Sequence, residues 1–215
     1  MRYWYLLVVF NIYLLPGIYA QEKPVSVDFG KCRLESMAVY MVCKGTRSKI
    51  PIIGKEFNLR DTNITHVGLG WIEKGRLIIY NMVNDQPDKG FRQDSIADFL
   101  RGNDIYYWSI WKTVASNEER ERIRKFVSGI AVLNPKFDNM FDLDNGDSLL
   151  YCSEFCKRAL FMMAPEKYSF PPVKIPLNNP LYESILDRKI LTYIPVDFFQ
   201  GSPLFEKIYE QYNQD

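Results

Sequence analysis

Two adjacent runs of β-branched and aromatic residues form the clearest pattern of apolar and polar positions in the chain. Residues 65–72 and 76–83 are both strand-like, and Glu-Lys-Gly at residues 73–75 separates them. A short link that contains glycine between two such runs is typical of a β-hairpin. An aromatic-rich run predicts a third strand at residues 105–111, and a last strand is predicted at residues 190–196.

Apolar residues at helical spacing predict helices elsewhere. The clearest helix begins at Ser116, which is placed to form a capping box with Glu119. Residues 152–163 form a second predicted helix, and the spacing at residues 34–43 suits a short one. Residues 95–100 are predicted as a helical turn. Helices mixed with antiparallel strands in this way indicate an α+β fold.

The remaining segments are predicted as loops around one domain. They comprise an acidic stretch at residues 137–147, a proline-rich stretch at residues 165–180, and a polar tail. No internal repeat or domain boundary interrupts residues 21–215, and this length is sufficient for one domain with its own core.

Residues 1–20 have the pattern of a secretory signal peptide. Arg2 precedes an apolar run at residues 3–15, and Ala20 offers a small residue at a cleavage point. The run is shorter than the roughly 20 apolar residues of a membrane span. We therefore expect a periplasmic or secreted protein with no membrane span after signal removal; an uncleaved anchor is the alternative.

Charge and cysteine content narrow the function classes. The net charge is +1, from 27 Lys and Arg against 26 Asp and Glu, so the basic surface expected of a nucleic-acid binder is absent. In an oxidising compartment Cys32 and Cys43 could form a disulfide; burial as thiols is the alternative.

Neither a metal nor another cofactor is predicted. Without a C-x-x-C pair, a zinc ribbon is not supported. The acidic stretch fails as an EF-hand, because Phe141 and Leu143 would occupy ligand positions.

Cys152 and His66 are the candidate catalytic pair. Cys152 begins a predicted helix, where free N–H groups and the helix dipole favour a thiolate and can hold an oxyanion. His66 is the only histidine in the chain, so it is the only imidazole that could accept the thiol proton. For each residue, packing in the core is the alternative.

Four further positions complete the candidate site. Asn81 lies on the second strand of the predicted hairpin, where its amide could orient the imidazole; a solvent-facing polar residue is the alternative. Tyr151, Ser153 and Trp71 are candidate substrate contacts. Gly68 and Gly70 leave room beside His66 for another backbone or a ligand.

These residues resemble the YiiX/YebB-like hydrolases, a circularly permuted branch of the NlpC-like, papain-fold cysteine hydrolases. The matching segments are Thr-His-Val-Gly at residues 65–68, Phe-Asp-Leu-Asp at residues 141–144, and Leu-Tyr-Cys-Ser-Glu-Phe at residues 150–155. The resemblance covers about residues 60 to 165 and implies a permuted papain-like (NlpC-like) domain, with an antiparallel sheet packed against helices. Permutation accounts for a histidine that precedes the cysteine.

The resemblance implies that Cys152 is the nucleophile and His66 the general base. The orienting residue is often glutamate in this branch, whereas Asn81 stands at the matching position, and the usual Gly-Asp-aliphatic opening before the histidine strand is missing. We therefore expect a cysteine hydrolase that cleaves an amide bond, with cell-wall peptide as the leading substrate. The alternatives are an acyltransferase or lipid amidase, an inactive binding protein of the same fold, and a structural disulfide module.

Overall fold

The computed structural model describes residues 26–28, 32–47, 55–84, 90–102 and 104–213. The predicted signal peptide at residues 1–20 lies outside the described residues. The described part contains a six-stranded antiparallel sheet, three two-stranded sheets and four helices. This mixed α/β architecture with a large antiparallel sheet agrees with the predicted combination of helices and antiparallel strands.

The strands are β1 (Ser26–Asp28), β2 (Arg33–Glu35), β3 (Ala38–Thr46), β4 (His66–Glu73), β5 (Arg76–Val83), β6 (Gly90–Ser95), β7 (Ile105–Val114), β8 (Lys136–Phe137), β9 (Leu149–Leu150), β10 (Val173–Pro176), β11 (Ile190–Tyr193) and β12 (Glu206–Tyr212). The helices are α1 (Ile96–Phe99), α2 (Asn117–Leu133), α3 (Cys152–Met163) and α4 (Pro180–Leu186).

The large sheet separates two hydrophobic cores. Its strand order is β12-β7-β3-β4-β5-β6. The helix-face core contains residues of α2 and α3 together with Val67 and Leu69 of β4. The second core, on the opposite face, contains Tyr40, Ile79 and Phe99. Because side chains alternate along a strand, each central strand contributes to both cores.

A third group of apolar residues lies outside the large sheet. This C-terminal cluster is formed by Leu177, Tyr182, Leu186, Leu191 and Tyr193. It joins α4 to the β10–β11 pair, and Phe57 and Phe141 pack against it.

The predicted hairpin is confirmed. β4 pairs with β5 in the register that brings Glu73 opposite Arg76, so the turn has two residues, Lys74 and Gly75. Both have positive φ, 47° and 76°, as a type I′ turn requires, and the glycine adopts this conformation without steric strain.

The predicted helix at Ser116 is also confirmed. The Ser116 side chain accepts from the Glu119 backbone, and the Glu119 carboxylate accepts from the Ser116 backbone. Asn134 ends α2 in the left-handed conformation with a φ of 48°. The predictions of a helix at residues 152–163, a turn at residues 95–100, and strands near residues 105 and 190 are confirmed by α3, α1, β7 and β11.

The predicted helix at residues 34–43 is wrong. This segment forms β2 and most of β3, a central strand that pairs with β4 and β7. Because β3 is buried on both faces, its apolar residues run almost without interruption, and such a run does not distinguish a strand from a helix. Gly45 does not end a helix: a Cβ there would lie 1.9 Å from the Asn63 carbonyl oxygen.

The polar tail contains a strand that its sequence does not indicate. β12 pairs with β7 at the edge of the large sheet, and most of its side chains are exposed. An exposed edge strand lacks apolar alternation and carries charges, so its sequence is that of a loop.

A disulfide between Cys32 and Cys43 is not formed. Cys43 is a free, fully buried thiol in the helix-face core, whereas Cys32 belongs to the second core. The sheet therefore separates the two side chains.

Two glycines allow a matched test of packing. A Cβ on Gly70 would lie 2.3 Å from the Ile78 carbonyl oxygen, whereas a Cβ on Gly129 of α2 would meet nothing within 4 Å. We expect Gly70→Ala to lower the free energy of unfolding by about 1–3 kcal/mol. Gly129→Ala should raise it by about 0.5–1 kcal/mol, because alanine favours a helix. Urea denaturation measures both, and equal effects would contradict this packing.

Candidate active site

A cavity of about 390 Å³ opens at one end of the large sheet. There β3 and β5 end, β4 begins, and α3 presents its N-terminus. Polar side chains from these elements line one part of the cavity: Lys44, Thr65, His66, Cys152 and Ser153. The other walls are largely apolar and include Phe57, Val83, Phe137, Phe141, Ile185, Leu191, Tyr193 and Val196.

Cys152 is the first residue of α3, and only 6% of its surface is exposed. Its helix has no side-chain cap, which leaves N–H groups of the first turn without a side-chain partner. Burial raises the pKa of the Cys152 thiol, although hydrogen bonds from the main chain of Val67, Ser153 and Cys152 itself oppose the rise. The helix start therefore acts as expected, but desolvation outweighs it and the resting thiol is protonated.

The two neighbours of Cys152 hold its helix to the chain after β11. The Ile194 N–H donates to the Tyr151 hydroxyl at 2.8 Å, and the Ser153 hydroxyl donates to the Ile194 carbonyl at 2.7 Å. Tyr151 and Ser153 are each 1% exposed. Both line the cavity, but the hydroxyl of each already bonds to Ile194.

His66 begins β4 opposite Lys44 of β3. Its ring stacks on Phe99 with 5.5 Å between the centroids. Burial, helped by the positive charge of Lys44, lowers the pKa of His66 to about 3, against the opposing effect of the Asn81 hydrogen bond. The imidazole is therefore neutral at physiological pH, as a general base must be before it accepts a proton.

Asn81 lies behind the imidazole and is fully buried. Its Oδ1 atom is 3.0 Å from His66 Nε2. The sequence placed these two residues on adjacent strands, and the structure joins them directly. Asn81 does not line the cavity, whereas His66 does. Asn81 therefore contacts the imidazole from behind.

Gly68 provides the space for this contact. A Cβ on Gly68 would lie 3.2 Å from the Asn81 Cβ, 3.1 Å from the Phe99 ring and 2.5 Å from Ile79 Cγ2. The room predicted beside His66 is thus filled by the protein's own side chains. A larger residue at position 68 would displace Asn81 or Phe99 from His66.

The imidazole and the thiol approach the cavity from different sides of the sheet. His66 contacts Asn81 and also Phe99 of the second core, whereas Cys152 belongs to the helix-face core. The main chain of Val67, the residue after His66, nevertheless opposes the rise in the pKa of Cys152. The two side chains therefore face one cavity where the strand begins.

The remaining candidate position, Trp71, lies away from the cavity. Trp71 is 2% exposed in the helix-face core, where it stacks on Tyr80 and donates to Glu73 at 2.6 Å. It does not line the cavity. Cys156 is fully buried one turn after Cys152, with its sulfur 3.9 Å from the Val67 carbonyl oxygen.

Several residues at the site were not found from the sequence. Lys44 was missed because β3 was predicted as a helix, which hides its pairing with His66. Phe57, Phe141 and Tyr193 come from segments distant in sequence, with no periodicity to link them. Asp94 accepts a hydrogen bond from Asn81 at 3.0 Å. It lies on β6, a strand that the sequence did not predict.

No protein-family model matches the chain, and no curated protein matches its sequence. Among solved structures, the crystal structure of YiiX from Escherichia coli O157:H7, described as a metalloprotein, is similar, with a TM-score of 0.60. The alignment covers 82% of this chain and 98% of YiiX at 12% identity. The chain therefore has a YiiX-like fold.

Within the described ranges, no group of three or more His, Cys, Asp and Glu side chains is arranged to hold a metal ion. None of the helices in the described part is both long and apolar enough to cross a bilayer.

The raised pKa of Cys152 predicts how its alkylation depends on pH. A thiol with a pKa above the ordinary value of 9.0 stays protonated at neutral pH, and His66, with a pKa of about 3, contributes no ionisation between pH 5 and 8. Labelling of Cys152 by iodoacetamide should therefore rise continuously from pH 6 to pH 9. Peptide mass spectrometry would separate it from Cys43 and Cys156. A plateau already reached at neutral pH would instead indicate a thiolate–imidazolium pair.

Proposed function

We propose that this protein is a cysteine hydrolase that cleaves amide bonds, with a circularly permuted papain-like arrangement of its site. The observation that carries the proposal is the 3.0 Å contact between His66 Nε2 and Asn81 Oδ1 beside a cavity that Cys152 also lines. A cysteine and a histidine that line one cavity, with an amide in contact with the imidazole, form the set needed for nucleophilic catalysis.

The neutral state of both groups defines the first step. An amide carbonyl in the cavity is attacked by Cys152 Sγ while the thiol proton moves to His66 Nδ1. Since the free imidazole resists protonation, proton transfer accompanies the attack rather than preceding it. N–H groups at the start of α3 donate hydrogen bonds to the carbonyl oxygen and stabilise the negative charge that develops on it.

The second half of the cycle reverses the proton path. The His66 imidazolium gives its proton to the departing amine as the C–N bond breaks, and a thioester remains on Cys152. His66 then takes a proton from water, the hydroxide oxygen attacks the thioester, and the acid leaves as Cys152 regains its proton. Asn81 accepts from the ring throughout and stabilises the imidazolium.

The order of residues supports the permuted arrangement. His66 precedes Cys152 in the chain, whereas the papain-type order is the reverse, and the YiiX-like fold accommodates this sequence of elements. With the predicted signal peptide at residues 1–20, we infer a periplasmic or secreted enzyme. A cell-wall peptide is the leading substrate by resemblance to NlpC-like hydrolases.

The apolar walls favour a second candidate, an amidase or acyltransferase that acts on an apolar acyl group. Phe57, Phe141 and Leu191 belong to or pack against the C-terminal cluster and line the cavity. A polar cell-wall peptide makes little use of such walls, whereas an acyl chain gains about 0.8 kcal/mol for each buried methylene group. The chemistry at Cys152 is the same for either substrate.

Substitutions at the catalytic pair test the proposed reaction. We expect Cys152→Ala to abolish amide hydrolysis and His66→Gln to lower kcat by about 10²–10⁴-fold, because the base is lost. Cys156→Ala is the matched control, since Cys156 is a buried cysteine one turn along the same helix. Amine release from peptide and acyl-amide substrates gives the rates. Equal activity in Cys152→Ala would refute the proposal, and failure to turn over any amide would favour a binding protein.

The two substrate classes are separated by acyl-chain length. If the walls hold an acyl group, kcat/KM for a series of N-acyl amides should increase about threefold or more with each added methylene until the cavity is full. Phe141→Ala should flatten this dependence without affecting the shortest substrate. A rate independent of chain length, with faster cleavage of a cell-wall peptide, would favour the peptide.

A further inference from the structure

Asp94 of β6 lies directly behind Asn81 and has no part in the mechanism above. Its side chain is 5% exposed and does not line the cavity. Asn81 Nδ2 donates to Asp94 Oδ2 at 3.0 Å, and Arg92 Nε donates to the same oxygen at 2.9 Å. Arg92 Nε also lies 2.8 Å from Asp94 Oδ1, so the buried carboxylate is paired, as burial requires.

These contacts fix the orientation of the Asn81 amide. The Asp94 carboxylate can only accept hydrogen bonds, and so can the Arg92 carbonyl, which lies 3.3 Å from Asn81 Nδ2. Both acceptors require the NH₂ group of Asn81 on their side. Oδ1 must then point the other way, towards His66 Nε2.

The orientation of the amide in turn fixes the tautomer of His66. An amide oxygen cannot donate, so the neutral ring must carry its proton on Nε2 to complete the 3.0 Å contact. Nδ1 is left with a lone pair. If the amide were reversed, its NH₂ group would face Nε2 and the ring proton would move to Nδ1, where no proton could be accepted from Cys152.

We propose that Asp94 is a positioning residue that sets the tautomer of His66 through Asn81. The carboxylate contacts neither the imidazole nor the cavity and acts only by holding the amide in one orientation. The consequence for catalysis rests on the proposed hydrolase function, whereas the tautomer itself does not.

The single histidine makes the tautomer directly measurable. With ¹⁵N-labelled histidine, long-range ¹H–¹⁵N correlation spectra at pH 7 report only His66, and nitrogens with and without a proton have well-separated shifts. In the unaltered protein we expect Nε2 to carry the proton and Nδ1 to be unprotonated. A proton on Nδ1 in this protein would overturn the proposal at once.

Asp94→Asn is the informative variant. The oxygen of the new amide at position 94 would accept from Arg92, so the NH₂ group of that amide would face Asn81. A donor in this place favours reversal of the Asn81 amide. The Nδ1–H tautomer should then rise to a comparable or larger share. Asp98→Asn is the matched control, because Asp98 also pairs with an arginine, Arg101, yet does not contact Asn81. It should leave the spectrum unchanged.

A second variant guards against a failure to fold. Replacing Arg92 and Asp94 together by leucine removes both members of the ion pair, so neither of the two charges is left without the other. It should also increase the Nδ1–H share. Folded Asp94 variants that keep the wild-type tautomer would refute the proposal.

Activity gives the second measurement. If the hydrolase function holds, Asp94→Asn should lower kcat by about 10- to 10⁴-fold, up to the effect of a wrong tautomer, with KM little changed because Asp94 is outside the cavity. A tautomer shift in a protein that hydrolyses no amide would support the role of Asp94 and reject the hydrolase. If the tautomer is unchanged in Asp94→Asn while the protein hydrolyses amides, the hydrolase function is supported and the role of Asp94 is rejected.

Discussion

The register between β4 and β5 is the constraint on which the candidate site depends. Leu69 pairs with Tyr80, so Gly68 lies beside Asn81. His66 is two residues before Gly68 and therefore lies on the same face of the sheet. The amide crosses the space that Gly68 leaves empty to reach the imidazole. Because side chains alternate along a strand, a slip of one residue would turn either His66 or Asn81 to the other face. The two-residue turn at Lys74 and Gly75 fixes this register.

Burial governs the chemistry of both reactive groups. It raises the pKa of the Cys152 thiol and lowers that of the His66 imidazole, so each rests in its neutral form. In the proposed hydrolysis, such a site holds no ion pair at rest and would form charge only when a substrate binds. The dipoles that would stabilise this charge, at the start of α3 and in the Asn81 amide, are already in position, so the proposed reaction needs little reorganisation.

The sequence predicted those elements whose patterns are local. The hairpin, the Ser116 capping box and the helix at Cys152 follow from turn chemistry, capping and periodicity within short windows. The placement of Asn81 beside His66 followed from pairing across that hairpin. By contrast, β3 is buried on both faces and β12 is exposed on most positions, so neither strand has the alternation that identifies one.

The apolar walls and the support behind Asn81 depend on contacts between distant segments. The C-terminal cluster brings together Phe57, Phe141 and Tyr193. No spacing in the sequence indicates that these three residues are neighbours. Asp94 likewise lies beside Asn81 only because β6 pairs with β5. The helix start at Cys152 is confirmed, but the sequence did not predict the raised pKa of its thiol, because desolvation of a side chain is a property of the folded cavity.

The distance from Cys152 Sγ to His66 Nδ1 in a crystal of the protein, with the cysteine joined to a substrate-derived aldehyde, tests the central claim most directly. We expect the aldehyde carbon to be bonded to Cys152 Sγ, with His66 Nδ1 within hydrogen-bond range, about 3–3.5 Å, of the sulfur or the adduct oxygen. An imidazole that stays more than about 6 Å from both atoms, beyond the reach of proton transfer, would contradict the claim that these two side chains share a proton.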